Sequence, residues 1–424
     1  VGVARRQLAR AVEAVVPSRL GVSFRWLLGS SWIGNLGDGI ELAAGPLLVA
    51  SETRDPFLVA LAVVLQRLPW LVFGLLAGVA ADRFDRRRLV FAGHAVRAGL
   101  LAILTATIAL DQVNIAVILV TMFILGTAEV FADTTSTTLL PMMIDKRDLP
   151  IANARFMTSF VTVNQLAGPP LGAALFAFGA VVPFAVQGAC MVASAFAISR
   201  VRLPAHGVDR AERSHVLREI ADGMRWLKGD AAVRTLAITI VTFNVTFGAA
   251  FSVLVLYAIE RLKAGEVGFG LLTTATAIGG LVATGLYGWL ASRVSLGNLM
   301  RAGLIIETLT HLALALTTTL WVALGIMLVF GAHAFVWGTT STSVRQRAVP
   351  MELQGRVSSV YLIGVQGGIV VGSVIGGLIA GALGVVAPFW FAFVGSAVLV
   401  VVMWRQFTYI AHADEANLRG IGQH

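Results

Sequence analysis

The sequence predicts an all-α integral membrane protein of twelve transmembrane helices in two pseudo-symmetric six-helix bundles. Three observations carry that reading. Of 424 residues, 57% are hydrophobic and only 13% are charged, about half the charged share of a soluble domain. Twelve apolar runs each reach the roughly 20 residues that a helix needs to cross a bilayer. Basic residues gather on alternate connections between those runs, the sidedness that marks cytoplasmic loops.

The runs cover about 25–50, 57–80, 88–110, 113–139, 153–178, 182–200, 233–259, 266–291, 297–318, 320–343, 356–382 and 385–404. None alternates as a membrane strand would, and glycine is scattered through them as helix packing in lipid allows. With both termini on the cytoplasmic side, 27 Lys and Arg fall in cytoplasmic segments and three (Arg54, Arg261, Lys263) fall outside. Miscounting one helix would invert that nine-to-one bias. The organisation that follows is a basic N-terminal segment 1–24, a bundle over 25–200, a linker over 201–232, a second bundle over 233–405 and a tail over 406–424. The N-terminal segment has no signal-peptide core or cleavage site. In the linker, the stretch from His215 to Leu227 puts apolar residues on one helical face, as an amphipathic helix lying on a membrane surface does.

The two halves look duplicated. Thr134-Thr135-Ser136-Thr137-Thr138 ends the fourth run and Thr339-Thr340-Ser341-Thr342-Ser343 ends the tenth, 205 positions on (339 − 134). Gly126 and Gly331 share that offset, as do Pro183-Phe184 and Pro388-Phe389. One offset held over some 50 residues favours an internal repeat.

Several function classes are excluded or left without support. No Gly-x-x-x-x-Gly-Lys-Ser/Thr loop is present, so ATP is not expected as the fuel. No Cys/His metal spacing and no Gly-x-Ser-x-Gly nucleophile turn occurs, so no catalytic residue, metal or cofactor is expected. Cys190 is the sole cysteine, which rules out an intramolecular disulfide. The formal charge of +9 lies in arginine clusters between apolar runs and lacks the aromatic-plus-basic stripe of a nucleic-acid binder.

Between the second and third runs stands Gly78-Val79-Ala80-Ala81-Asp82-Arg83-Phe84-Asp85-Arg86-Arg87-Arg88. This tight turn is too charged for lipid and must dock on neighbouring helix ends. It resembles motif A of the major facilitator superfamily: Gly78, Asp82, Arg83, Arg86 and Arg87 fit, while Asp85 replaces the usual second glycine. The equivalent place in the second half keeps Gly288 and Arg293 but has Ser292 for the Asp. Asp133, level with this turn, is expected to hold Arg86 or Arg83, and Asp82 to pair near Arg356. Such pairs would latch one face of the protein, so Asp82→Asn should cut transport while leaving the protein in the membrane.

Ionisable groups at membrane depth are costly and each needs a reason. Asp38 and Glu41 lie i, i+3 on the first span, Arg67 near the middle of the second, Arg97 on the third, and Glu129 and Asp133 i, i+4 on the fourth. Proton coupling needs a carboxylate that gains and loses its proton near neutral pH. Asp38 is the expected proton carrier, with Glu41 second, Glu129 in the same group and Arg67 as the switching base; the alternative is a fixed buried salt bridge that only holds helices together. Asn35, Asn164, Gln165, Asn244, His333 and Trp337 are the expected substrate-cavity residues, with Phe243 and Phe247 as candidate aromatic lining. Glu307 and His311, i, i+4 on the ninth span, read first as a packing pair.

The fifth span carries Asn164-Gln165-Leu166-Ala167-Gly168-Pro169-Pro170-Leu171-Gly172. It resembles motif C, the signature of the superfamily's drug exporters, through Gly168, Pro169 and Gly172, with Pro170 a departure. Together with Gly37-Asp38-Gly39 and Leu353-Gln354-Gly355-Arg356-Val357, these segments are similar to the bacterial exporter branch of the superfamily, which includes macrolide-efflux proteins and the enterobactin exporter. The resemblance covers nearly the whole chain. It implies the major facilitator fold and a proton-driven antiporter in a bacterial inner membrane, surrounded by lipid and monomeric, that expels a small amphiphilic drug, antibiotic or siderophore-like compound. A proton-coupled importer, a lipid flippase and a non-transporting scaffold or receptor remain open alternatives.

Overall fold

Lipid offers no hydrogen-bond partners, so an apolar run must satisfy its own backbone, and helices do so. A computed structural model describes residues 20–145, 147–203 and 216–408, and among them no strand occurs. The helices are α1 (Gly21–Glu52), α2 (Pro56–Arg83), α3 (Arg86–Ala109), α4 (Ile115–Met143), α5 (Leu149–Ser159), α6 (Gly168–Ala177), α7 (Val181–Ser199), α8 (Val216–Gly229), α9 (Ala231–Phe251), α10 (Gly265–Arg293), α11 (Leu296–Leu316), α12 (Leu320–Ala348), α13 (Gln354–Leu383) and α14 (Ala387–Met403). Nine of them are long and apolar enough to cross a bilayer. The remaining expected spans correspond to α1, to the broken rod of α5 and α6, and to the shorter α14. Segment 1–19, residues 204–215 of the linker and the tail from 409 lie outside the described residues, and with them part of the amphipathic-linker reading.

Helix starts follow the polar residues that precede them. Asp85, Asn114, Asp230 and Ser295 cap α3, α4, α9 and α11, each accepting from a backbone N–H three residues on. Such caps satisfy orphan donors of the first turn. Asp85 accepts from Arg88 N at 2.8 Å, which is a structural reason for an Asp where motif A usually has glycine.

The fifth predicted span is one rod with an interruption. Pro169 and Pro170 lack N–H groups, so the i→i−4 ladder cannot run through them. The chain upstream widens into a π-helical segment, Phe160–Ala167, whose last step is Gly168 N bonding Val163 O. The bend expected at motif C therefore takes the form of a wide turn just before it.

Of the described residues, those in Val1–Leu48 and Val72–Glu212 form one compact unit, and those in Val49–Leu71 and Arg213–His424 the other. In the first, α3 packs on α7 and α4. In the second, α10 packs on α12, α9 on α13, and α11 on α14 and α12. The first core holds Phe24, Leu27, Leu28, Val90, Leu139 and Ile198; the second holds Leu236, Phe243, Met300, Leu304, Trp337 and Phe407. The repeat shows in element bounds: α4 and α12 start and end 205 residues apart (320 − 115 and 348 − 143).

Candidate functional site

Three charge-bearing helix faces, on α1, α3 and α4, meet inside the first unit, and glycines let the backbones approach. A Cβ on Gly37 would come within 2.7 Å of Met191 Cε on α7, and one on Gly93 within 2.9 Å of Ala132 Cβ on α4. A Cβ on Gly39 would lie 2.6 Å from Asn164 O, one on Gly168 2.4 Å from Gly39 Cα, and one on Gly172 2.2 Å from Ile40 O. The motif C glycines thus bring the α5–α6 rod onto α1 at Gly39 and Ile40, between Asp38 and Glu41. That is what the small residues of the motif do in this fold.

At this junction Arg97, fully buried, pairs with Asp38, whose side chain keeps 13% exposure. The base beside Asp38 is Arg97 on α3, where the sequence suggested Arg67. Arg67 is half-buried in the part of α2 that belongs to the second unit. Arg97 also interacts electrostatically with Glu129 and Glu41. Glu41 accepts a hydrogen bond from the Gln187 side-chain amide on α7, and Gln187 is itself fully buried. One guanidinium faces four carboxylates, Asp38, Glu41, Glu129 and Asp133, which interact with one another as well. Such a set neutralises one carboxylate by pairing and leaves the others able to bind protons.

The cluster borders a cavity of about 460 Å³ lined by Asn35, Asp38, His94, Asp133, Ser136, Asn153 and Phe156 among others. That volume suits a small ligand, and the wall mixes carboxylates and amides with aromatic surface. Asn35 is held there by hydrogen bonds to the Ser31 and Ser159 hydroxyls, both 3.1 Å. Asn164 and Gln165 pair with each other at 2.6 Å, with Asn164 buried against α1 and Gln165 exposed.

The other expected cavity residues lie elsewhere. Asn244, His333 and Trp337 are each no more than 5% exposed and belong to the interior of the second unit. Asn244 donates to Ile240 O at 2.7 Å, and Trp337 stacks on Phe243. Aromatic rings pack around His333 and Trp337.

The motif A turn is tied down by its own arginines. Arg86 pairs with Asp82 at 3.2 Å and donates to Ala81 O and Met142 Sδ; Arg87 donates to Val201 O at 3.0 Å. Arg83 is exposed, and Gly78 has open space where a Cβ would go. Asp133 faces the cavity instead of Arg86 or Arg83, because it lies on the α4 face that carries Glu129. Arg356 pairs with Asp222 of α8 at 3.5 Å, a partner that sequence reasoning missed. Missed as well were the roles of Arg97, His94 and Gln187; the spacing of His94 and Arg97, one turn apart on a face that also carries Gly93 and Val90, was the available signal.

Helices long and apolar enough to cross a bilayer, with a buried acid–base cluster beside a polar cavity, make this a multi-pass membrane protein. It belongs to the transmembrane secretion effector family of the major facilitator superfamily, whose profile matches residues 13–421. The chain is 27% identical over 381 residues to the multidrug efflux pump Tap of Mycolicibacterium fortuitum, covering 86% of this chain and 90% of that protein. It is 21% identical over 366 residues to macrolide efflux protein A of Streptococcus pyogenes, covering 84% and 88%. In fold it is similar to the nucleoside transporter NupG (D323A mutant), with a TM-score of 0.72 over 91% of this chain and 100% of that one at 14% identity.

Proposed function

We propose that this chain is a proton-driven efflux transporter of a bacterial cell membrane, exporting a small amphiphilic drug, antibiotic or siderophore-like compound by alternating access. The observation that carries the reading is the Asp38–Arg97 pair at the wall of the cavity, with Glu41, Glu129 and Asp133 within electrostatic reach of the same guanidinium. A proton taken up by Asp38 removes its charge and releases Arg97 toward Glu129 and Glu41. That changes which helices the guanidinium holds together. Substrate enters the cavity when Asp38 has lost its proton and leaves on the far side as the proton returns. The energy comes from the proton gradient, with no cofactor.

The same reading takes twelve spans in bundles over 25–200 and 233–405, both termini in the cytoplasm, and a monomer in lipid. The efflux names of the relatives and the exporter-type motif C support the outward direction. The test is a drug and siderophore accumulation screen in an efflux-deficient bacterial host, with wild type beside Asp38→Asn at equal membrane abundance. Wild type lowers accumulation of at least one amphiphile and the variant does not. A variant that expels as well as wild type contradicts the role given to Asp38.

A further inference from the structure

The second unit has its own buried acid, which the efflux reading does not use. Glu307 on α11 is completely enclosed, and so is His311 one turn on. Glu307 Oε2 lies 3.0 Å from His333 Nε2 on α12, and Oε1 lies 3.5 Å from His311 Nε2. Phe243, Phe251, Phe330 and Trp337 surround the two imidazoles. One carboxylate is therefore hydrogen-bonded to His333 and 3.5 Å from His311, among aromatic rings.

Among the described residues, the charged groups of the helices packed around it turn elsewhere or lie at their ends; on α10 these are Glu266 in the first turn and Arg293 over the Trp289 ring in the last. On α11, Arg301 is turned away to Asn298 Oδ1 and Trp404 O. Arg261 and Tyr257 bond the carbonyls at the far end of α11, from Leu314 to Thr317. On α12 the charged residues are Arg345, stacked on Tyr361 at 3.6 Å, and Arg347, which lies about 21 Å along the helix from His333 at 1.5 Å per residue. On α9 the charged residue is Arg234, bonded to Lys228 O. The sequence of α14 has none. His311 interacts electrostatically with Glu307 and His333.

With Glu307 ionised and both imidazoles neutral, the cluster carries one uncompensated negative charge. With one added proton it is neutral, and with two it is positive. Uncompensated charge in so enclosed a place is the costly state. We propose that Glu307, His311 and His333 form a second proton-binding site, complete within the second unit, that holds one proton shared among the three. The 3.0 Å contact of His333 with Glu307 is the hydrogen bond within the cluster, and His311 Nε2 and Glu307 Oε1 are buried without one. His311 Nδ1 has Ser396 Oγ at 3.5 Å to accept an N–H, and Ser396 Oγ reaches Thr246 Oγ1 at 3.5 Å. His333 Nδ1 is buried without a partner. The inference stands without the efflux reading, since it concerns proton binding in the resting protein.

The test uses the full chain in lipid nanodiscs, labelled with ¹⁵N-histidine and titrated between about pH 5 and 8 without substrate. Imidazole signals are read by NMR, and the Glu307 carboxyl by infrared difference against Glu307→Gln. The expected result is one midpoint shared by the cluster's histidine and Glu307 signals, as interacting groups titrate together. Glu307→Gln abolishes that joint step, and Ser396→Ala, which keeps all three groups, moves the midpoint by about one pH unit. Asp38→Asn leaves it in place, so this result and the transport result fail separately. Histidine signals that titrate independently of Glu307, or three groups with fixed protonation throughout, overturn the proposal.

Discussion

Replacing Arg97 by Met is the perturbation that the site geometry constrains most tightly. Its side chain is fully buried, and it is the guanidinium among Asp38, Glu41, Glu129 and Asp133. Methionine keeps most of the volume, so the loss is one of charge. Removing one partner of a buried pair costs about 3–5 kcal/mol, because the other is left uncompensated. At roughly 2–4 °C per kcal/mol for a unit of this size, the melting temperature of purified protein in detergent falls by roughly 6–20 °C. Asp38→Asn costs less, since Arg97 keeps Glu129 and Glu41 within electrostatic reach. Thermal unfolding followed by circular dichroism, at low and high salt, reads both variants. The loss persists in salt because the pair is shielded from solvent. An Arg97→Met protein that melts within about 2 °C of wild type, or that ranks above Asp38→Asn, refutes the assignment of Arg97 as the counter-ion.

Further outcomes follow from contacts of known geometry. Gly172→Val places a Cβ where Ile40 O would be 2.2 Å away, and overpacking of that kind costs about 1–3 kcal/mol; a melting temperature equal to wild type would mean that the α5–α6 rod is not pressed onto α1. Gly223→Val meets Arg356 O, 2.7 Å from a Cβ, and undocks α8 from α13, so trypsin cuts faster after Arg225 and Lys228. Unchanged cleavage would contradict the docking. Asp222→Asn removes only a half-exposed pair with Arg356, worth about 0–1 kcal/mol, and is expected to leave that cleavage rate near wild type.

Much of the fold was legible because a bilayer restricts the options so severely. Run length, basic asymmetry and the 205-residue offset between the Thr-rich ends of α4 and α12 all follow from one-dimensional patterns. The π-helical segment was half legible: Pro169 and Pro170 announce a break, while where the chain absorbs it depends on the contact with Gly39. The candidate site was legible in its acids, since Asp38, Glu41, Glu129 and Asp133 stand out in apolar surroundings at i, i+3 and i, i+4. Its base was not. Arg67 and Arg97 each sit well inside an apolar stretch, away from the arginines at the helix ends, and choosing between them requires knowing which helix α1 packs beside. Trp337 and Asn244 show a related ambiguity: a polar or aromatic residue in a membrane helix can face a cavity or a packed core, and sequence spacing alone does not say which. Asp222 as the partner of Arg356 depends on the docking of α8, which comes from tertiary packing.

Uphill transport by purified protein in proteoliposomes, driven by an imposed pH gradient, tests the central claim most directly. Wild type moves an exported amphiphile against its gradient, and Asp38→Asn does not, although it still exchanges labelled for unlabelled substrate when no gradient is imposed. An Asp38→Asn protein that accumulates substrate uphill as wild type does would contradict the account.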